Sequence, residues 1–278
     1  MKNIKISVIM TAHNRREQTL TCIKRILEEC PSLHVYLTND GCTDGTVDAL
    51  KSECPNVIII EGTGDLYWNR GMYTAFQEAA KHRYDYYLWL NDDTIVCKGF
   101  LGNLLACSGS ENDESIICGA TLESEYSKVI TYGGYTKDIK PLPISKEKQY
   151  CAFASGNILL IPLSVYDKVG NLDYYYRHAL GDFDYEGRAR KLGIKIVQAP
   201  GFAGYCKKHS SIPIWRDTEC SLICRIRHLY SPLGRNPIEF IYYDYRHNST
   251  MKAVIHFFTL HLRCFFPRLW GINYDKKE

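Results

Sequence analysis

Four strand-length apolar runs, separated by stretches of helical periodicity, constrain this chain more than any other feature. Ile4 to Thr11, His34 to Thr38, Val57 to Glu61 and Tyr86 to Leu90 are each the length of a strand. The first is largely apolar and β-branched, as a strand buried on both faces of a sheet must be. Between the first two runs, Leu20, Ile23 and Leu27 recur at helical spacing, with Cys22 and Ile26 beside them. That predicts a helix over 16–30, and further helices are expected over 46–53 and from Gly71 to His82. Strands alternating with helices at this pitch make βαβ units and a mainly parallel sheet, so the fold class is α/β.

Beyond Asp93 the alternation loosens. A helix is expected from Phe100 to Cys107, and strands from Ile116 to Thr121, Ile158 to Ile161 and Ile194 to Ala199. Residues 122–150 read as a hairpin or excursion with Gly133-Gly134 as its turn. A helix around 163–169 stops at Gly170, a C′ glycine, and another spans Asp182 to Leu192. Residues 216–278 differ in character, because Arg225, Arg227, His228, Tyr230, Tyr242, Tyr243, Tyr245, Arg246 and His247 interleave charge with aromatics. The expected organisation is a main domain over 1–215 and a mostly helical extension over 216–278.

Composition excludes some functions. With 34 basic and 31 acidic residues the net charge is +3, far short of the footprint of a general nucleic-acid binder. The twelve cysteines are scattered without a CxxC pair; Cys220 and Cys224 share a helix face but have no second pair to complete a zinc site. The opening MKNIKISVIMTAHN has no secretory h-region, and reduced thiols in a cytoplasmic protein are the simplest account. Met251 to Trp270 is apolar but broken by Lys252, His256, His261, Arg263 and Arg268, too interrupted to span a bilayer. It reads either as a cationic amphipathic helix on the inner membrane face or as a terminal helix packing its aromatics on the protein.

The fourth apolar run ends in Asn91-Asp92-Asp93. Two adjacent carboxylates at the carboxyl end of a buried strand lie where open α/β sheets hold their ligands. They repel unless a cation lies between them, and oxygen ligands suit Mg²⁺ or Mn²⁺. Taken alone, the same residues also make a plain polar turn.

In order along the chain stand SVIMTAHNR (7–15), TNDGCTDGT (38–46), LWLNDDT (88–94), ASGNILLIP (154–162), GNLD (170–173) and GDFDYEGRARKLG (181–193), followed by His209. Over residues 4–210 this series resembles a family-2 bacterial glycosyltransferase with the GT-A (Rossmann-like) fold, closest to the rhamnosyltransferase-like branch. The resemblance implies an inverting hexosyltransferase that uses a UDP- or dTDP-sugar donor. Its acceptor would be a glycan or lipid-linked glycan of bacterial surface polysaccharide synthesis.

The resemblance also implies residue roles. Asp93 would hold Mn²⁺ or Mg²⁺, with Asp92 on the metal or the donor ribose and His209 completing the metal site or touching the diphosphate. Asn91 stands where the family has Asp and is expected to hydrogen-bond rather than coordinate. Thr11, His13, Asn14 and Arg15 would line the nucleotide. Asp40 would read the N3–H of uracil or thymine, unless it merely caps the turn with Gly41. Asp65 to Gly71 falls where relatives contact the donor: Asn69 lies in that loop, Arg70 is suited to a phosphate, and Trp68 is either a donor contact or core. Lys207 and Lys208 could neutralise phosphate. Asp182 would be the general base, although a helix-opening Asp also reads as an N-cap. The preceding family Glu is here Gly181, Asp184 matches a recurrent acidic position, and Glu186 is expected to be solvated. Two rivals remain. A non-catalytic nucleotide-sugar-binding subunit would suit Asn91 and Gly181, whereas a sugar nucleotidyltransferase would need a Gly-rich loop that residues 7–16 lack.

Overall fold

The computed structural model of this chain describes residues 4–207 and 213–270. By internal contact it divides into two units, residues 1–174 with 181–208, and residues 175–180 with 209–278.

The first unit opens with β1 (Ile6–Ala12), α1 (Arg16–Glu29), β2 (His34–Asn39), α2 (Thr46–Glu53), β3 (Ile58–Glu61), α3 (Tyr67–Ala80) and β4 (Tyr86–Leu90). It continues through β5 (Ile95–Val96), α4 (Phe100–Gly109), β6 (Ile116–Cys118), β7 (Thr121–Leu122), β8 (Ile130–Tyr132), β9 (Gly134–Tyr135), β10 (Gln149–Tyr150), β11 (Phe153–Ala154) and β12 (Ile158–Pro162). It closes with α5 (Leu163–Val169), α6 (Gly181–Lys191), β13 (Ile196–Gln198) and β14 (Gly204–Tyr205). The main sheet has the order β10-β13-β6-β12-β4-β1-β2-β3. It is parallel across β3, β2, β1 and β4, and β12 enters antiparallel between β4 and β6. This is the expected α/β class.

Alternation along the strands sorts the core onto two faces. Val8 and Met10 of β1 and Leu88 and Leu90 of β4 pack with Leu20, Ile23 and Ile26 of α1 and Leu104 of α4. Ile9, Tyr87 and Trp89 point the other way, onto Met72 and Phe76 of α3, Val165 of α5 and Tyr185 of α6. Each fully buried side chain of this size contributes roughly 1.5–3 kcal/mol. The antiparallel entry of β12 has a functional consequence. Ile158 pairs with Leu90, so the start of one strand lies beside the end of the other. The ASGN segment is thereby set against the Asn-Asp-Asp segment.

The structure departs from the sequence reading in several places. Helix α3 begins at Tyr67, a turn before the expected Gly71, because its cap lies far away in sequence. The Asp40 carboxylate accepts the backbone N–H groups of Gly64, Leu66 and Tyr67 at 2.8–3.1 Å. Gly133-Gly134 is not a hairpin turn. The hairpin is β7–β8, closed by residues 123–129, and Gly133 passes the chain from β8 into β9, which pairs with β11. The strands β5, β10, β11 and β14 are two residues each, too short for a periodic signal.

In the second unit, α7 (Leu222–Leu229), α8 (Pro237–His247) and α9 (Thr250–Phe265) each have a side-chain cap, from Ser221, Asn236 and Ser249 respectively. Their small core is Trp215, Leu229, Leu260 and Cys264, with Ile226 and Phe240 against it. Buried Asp244 accepts from Asn248 at 2.8 Å and pairs with Nδ1 of His256 at 2.7 Å. All twelve cysteines are free thiols. Among the described residues no helix is long and apolar enough to cross a membrane.

Helix α3 crosses β1 closely enough that a Cβ on Gly71 would lie 2.2 Å from Oγ1 and 2.7 Å from Cβ of Thr11. At an unobstructed helical position Gly→Ala stabilises by about 1 kcal/mol. Here Gly71→Ala is expected to reverse that sign and cost roughly 1–3 kcal/mol, read from the midpoint of urea unfolding.

Candidate active site

The carboxylates that close β4 are held by a cation from the chain itself. The Arg15 guanidinium, in the loop after β1, lies 2.8 Å from Oδ2 of Asp93 and 3.3 Å from Oδ1 of Asp92. Asp92 also accepts from the hydroxyl of Thr19 at 3.2 Å. Burial pushes the Asp92 carboxyl up to about 6; Arg15 opposes the shift and the Asp93 charge adds to it. Asp93 accepts a weak S–H contact from Cys206 at 3.4 Å. That thiol is pushed up to about 12, chiefly by burial and then by Asp93, so it stays protonated. Asn157 ties the arrangement together. Its carbonyl accepts from Asn91 N–H at 3.1 Å, its side-chain oxygen from Thr94 at 3.2 Å, and its amide reaches Cys206 Sγ at 3.5 Å.

The remaining predicted residues fall into three groups around this pair. In the first, His13 Nδ1 contacts the Asp40 carbonyl at 2.5 Å, and Asn14 accepts from Thr43 N–H at 2.7 Å, so the loops after β1 and β2 are fastened together. Asp40, expected to read a base, is 3% exposed and engaged by the three amides that start α3. A uracil or thymine N3–H would have to share this carboxylate with those donors. Thr11, expected on the nucleotide, donates to the Thr38 carbonyl at 3.4 Å and lies under Gly71.

The second group centres on Trp68. Its indole N–H donates to the Asn91 side-chain oxygen at 2.8 Å, and its ring meets Trp89 edge-on at 6.2 Å. Asn91 is therefore a hydrogen-bonding residue. A Cβ on Gly156 would lie 2.6 Å from the Trp68 ring and 3.3 Å from Cβ of Asp182, so only glycine lets the indole lie over this backbone. Half-buried Asp182 accepts the Gly156 N–H at 3.0 Å. Burial raises its pKa, with the N–H groups of Gly156 and Phe183 opposing the shift. Trp68 thus meets the Asn91 side chain directly, and the Gly156 backbone lies next to both the indole ring and Asp182.

The third group is Asn69 and Arg70. Asn69 is fully buried and donates to the Asp173 carbonyl at 2.8 Å. Arg70 donates to the Tyr174 carbonyl at 2.9 Å, with its guanidinium 4.7 Å over the Tyr174 ring. Both therefore brace the segment at 173–174. Asn69 also explains Gly181, since a Cβ there would lie 1.7 Å from the Asn69 side-chain oxygen. The space of the expected Glu side chain is occupied by an amide. His209 and Lys208 lie outside the described residues, and Lys207 is exposed.

Glu186, expected to be solvated, is completely buried, and both its oxygens accept the Ala154 N–H at 3.0 Å. Burial, then the nearby Asp182 charge, holds its carboxyl well above the usual range. Asp182 and Glu186, four residues apart on α6, thus grip the backbone N–H groups of Gly156 and Ala154. Asp184 is spent on an ion pair with Arg188 at 2.9 Å. Sequence reasoning missed Glu186, Asn157, Gly156 and Cys206 as site residues. The ASGN motif contained two of them, but only the β12–β4 register shows what they support.

A divalent ion would fit Asp93. Its oxygens are hard donors, and ions such as Mg²⁺ take one or two carboxylates and complete their shell with substrate phosphates and water. The protonated Cys206 beside it does not make a thiolate site. Among the described residues no cluster of three His, Cys, Asp or Glu is poised for a metal.

Residues 7–170, well over half of the chain, match the model of Glycosyl transferase family 2, and the chain belongs to that family. Two solved structures share its fold. TarS of S. aureus is 12% identical with a TM-score of 0.54, over 99% of this chain and 46% of that one. This chain therefore spans just under half the length of TarS. The mannosyltransferase PcManGT from Pyrobaculum calidifontis, solved with GDP-Man and Mn²⁺, is 13% identical with a TM-score of 0.55, over 97% of this chain and 84% of its own. No curated protein matches the chain in sequence. The family and the shared architecture make this a glycosyltransferase with the GT-A fold.

Two predictions follow from the packing on α6. A carboxyl raised by folding binds its proton more tightly in the native state. Its stabilising effect is complete below about pH 4.3, the ordinary Glu value, and is lost as pH rises through the folded value. Glu186→Gln retains an acceptor for Ala154 but cannot ionise. Thermal midpoints from pH 4 to 9 should therefore fall less steeply for Glu186→Gln than for the parent. Separately, Gly181→Ala should cost more than about 2 kcal/mol through its collision with Asn69. Adding Asn69→Ala should recover part of that loss in a double-mutant cycle, and strict additivity would contradict the contact.

Proposed function

We propose that this glycosyltransferase is a metal-dependent, inverting hexosyltransferase of the rhamnosyltransferase-like branch. Its donor is a nucleoside diphosphate sugar. Its acceptor is a hydroxyl of a glycan or lipid-linked glycan in bacterial surface polysaccharide synthesis, at the cytoplasmic face. The observation that carries this reading is the Gly156 backbone, which is held by Asp182 and lies against the Trp68 ring that binds the Asn91 side chain.

In the proposed reaction, Asp182 takes the proton of the acceptor hydroxyl as its oxygen attacks the anomeric carbon. The bond from that carbon to the diphosphate oxygen breaks on the opposite face, which inverts the centre. A raised carboxylate pKa brings the base nearer neutrality, where proton transfer is most efficient. Gly156 and Phe183 hold the carboxylate in place through their N–H groups, and Trp68 walls the space beside it. A divalent ion held by Asp93 would offset the charge that develops on the leaving diphosphate. Asp92, facing Thr19 and Arg15, fixes the orientation of the guanidinium. The preference for uracil or thymine rested on Asp40, which is engaged as a helix cap, so UDP and dTDP stand level here with GDP, the nucleotide in the PcManGT complex.

The test is a thermal-shift titration with UDP, dTDP, GDP and CDP, each with and without Mn²⁺, followed by turnover assays with the sugar donors of whichever nucleotide binds. A ligand that binds only the folded state raises the midpoint by mass action. Metal-dependent stabilisation by one nucleotide is expected, and Asp93→Asn should abolish the metal dependence. Asp182→Asn should bind donor normally and lower turnover by about 10²–10⁴-fold. Donor binding without transfer or donor hydrolysis in the parent protein would favour the non-catalytic binding subunit.

A further inference from the structure

Helix α9 buries Ala253, Leu260 and Cys264 and turns a different apolar stripe outward. Met251 is 74% exposed, Ile255 55%, Phe258 59% and Leu262 44%. These residues recur at spacings of four, three and four, which aligns them on one face of the helix. Leu269, on the turn after the helix, is 75% exposed. The helix is therefore apolar on two faces, although its own unit covers only one. Charge identifies the partner. From Thr250 to Trp270 the chain carries Lys252, Arg263 and Arg268 and no acidic residue. Lys252, more than half exposed although 3.9 Å from buried Asp244, and half-buried Arg263 stand about three turns apart, on one flank of the stripe.

We propose that the outward face of α9 docks the protein on an anionic lipid surface. Phe258, Leu262, Ile255 and Met251 would enter the boundary between headgroups and acyl chains. The flanking lysine and arginine stems would lie along the apolar surface with their charges at the phosphates. A second copy of this chain fits the face poorly, because pairing α9 with itself would set three cations against three cations in either orientation. An anionic bilayer offers both the apolar phase and the opposite charge. This inference rests on the second unit alone and is independent of the role given to Asp182.

The experiment is flotation of the full chain with vesicles of phosphatidylcholine alone, or of phosphatidylcholine with one third phosphatidylglycerol, at low and high salt. Binding to the anionic vesicles only, weakened by salt, is expected. Phe258→Asp with Leu262→Asp should lower the bound fraction by about tenfold or more. Arg268→Glu should lower it as well while leaving the apolar stripe and the Lys252–Asp244 ion pair intact. Both variants replace exposed side chains, and unchanged thermal midpoints together with unchanged nucleotide binding would show that the fold and the donor site are intact. Failure to float with either vesicle, or equal flotation with the neutral one, would overturn the proposal. So would a concentration-dependent dimer in lipid-free sedimentation that Phe258→Asp with Leu262→Asp disperses while vesicle binding is absent.

Discussion

A buried strand that ends in two neighbouring carboxylates is electrostatically unstable on its own, and much of the site can be read as the remedy. Arg15 brings a positive charge from the loop after β1, Thr19 supplies a hydroxyl from α1, and Cys206 and Asn157 close the remaining sides. Four segments distant in sequence are therefore required to meet at one point. The sheet makes that possible. The parallel strands β1 and β4 end together, and the antiparallel β12 begins where they stop. Repulsion within the pair would equally favour a divalent ion at Asp93, since a metal and Arg15 answer the same need for positive charge.

The architecture was legible where periodicity was strong. Strands β1 to β4 were readable as apolar runs of strand length, and helix α1 from apolar side chains at helical spacing. The start of α3 was not, because its cap, Asp40, lies on another loop and leaves no local signature before Tyr67. The two-residue strands were illegible for the opposite reason, as they are fixed by neighbours rather than by their own pattern.

The site was legible as residue types and less so as tasks. Ordered motifs singled out Asp92, Asp93 and Asp182, the segment 65–71 added Trp68 as donor contact or core, and the structure gathers them in two adjoining clusters joined through Asn91. They did not reveal that Asp40 and Asn69 work on backbone, or that Glu186 is buried. Spacing says which face of a helix a side chain occupies, but whether that face meets water or a strand depends on the packing of distant elements. Gly181 shows the same limit in reverse. As sequence it reads as the loss of an acid, and in the structure it is the space that the Asn69 amide requires.

The capping of α3 from a distance also sets an order of assembly. Its central turns, with Met72, Ala75, Phe76 and Ala79 facing the sheet, hold local helix formers and can form early. The turn at 67–70 has no partner for its amides until β2 is in place and presents Asp40. Closing that 26-residue separation is a loop-closure cost that local helix formation does not meet. Trp68, Asn69 and Arg70 therefore depend for their placement on Asp40 at the end of β2. The candidate site takes shape only once the scaffold behind it is complete, so a chain stalled before that point would contain most of the helix without an ordered Trp68.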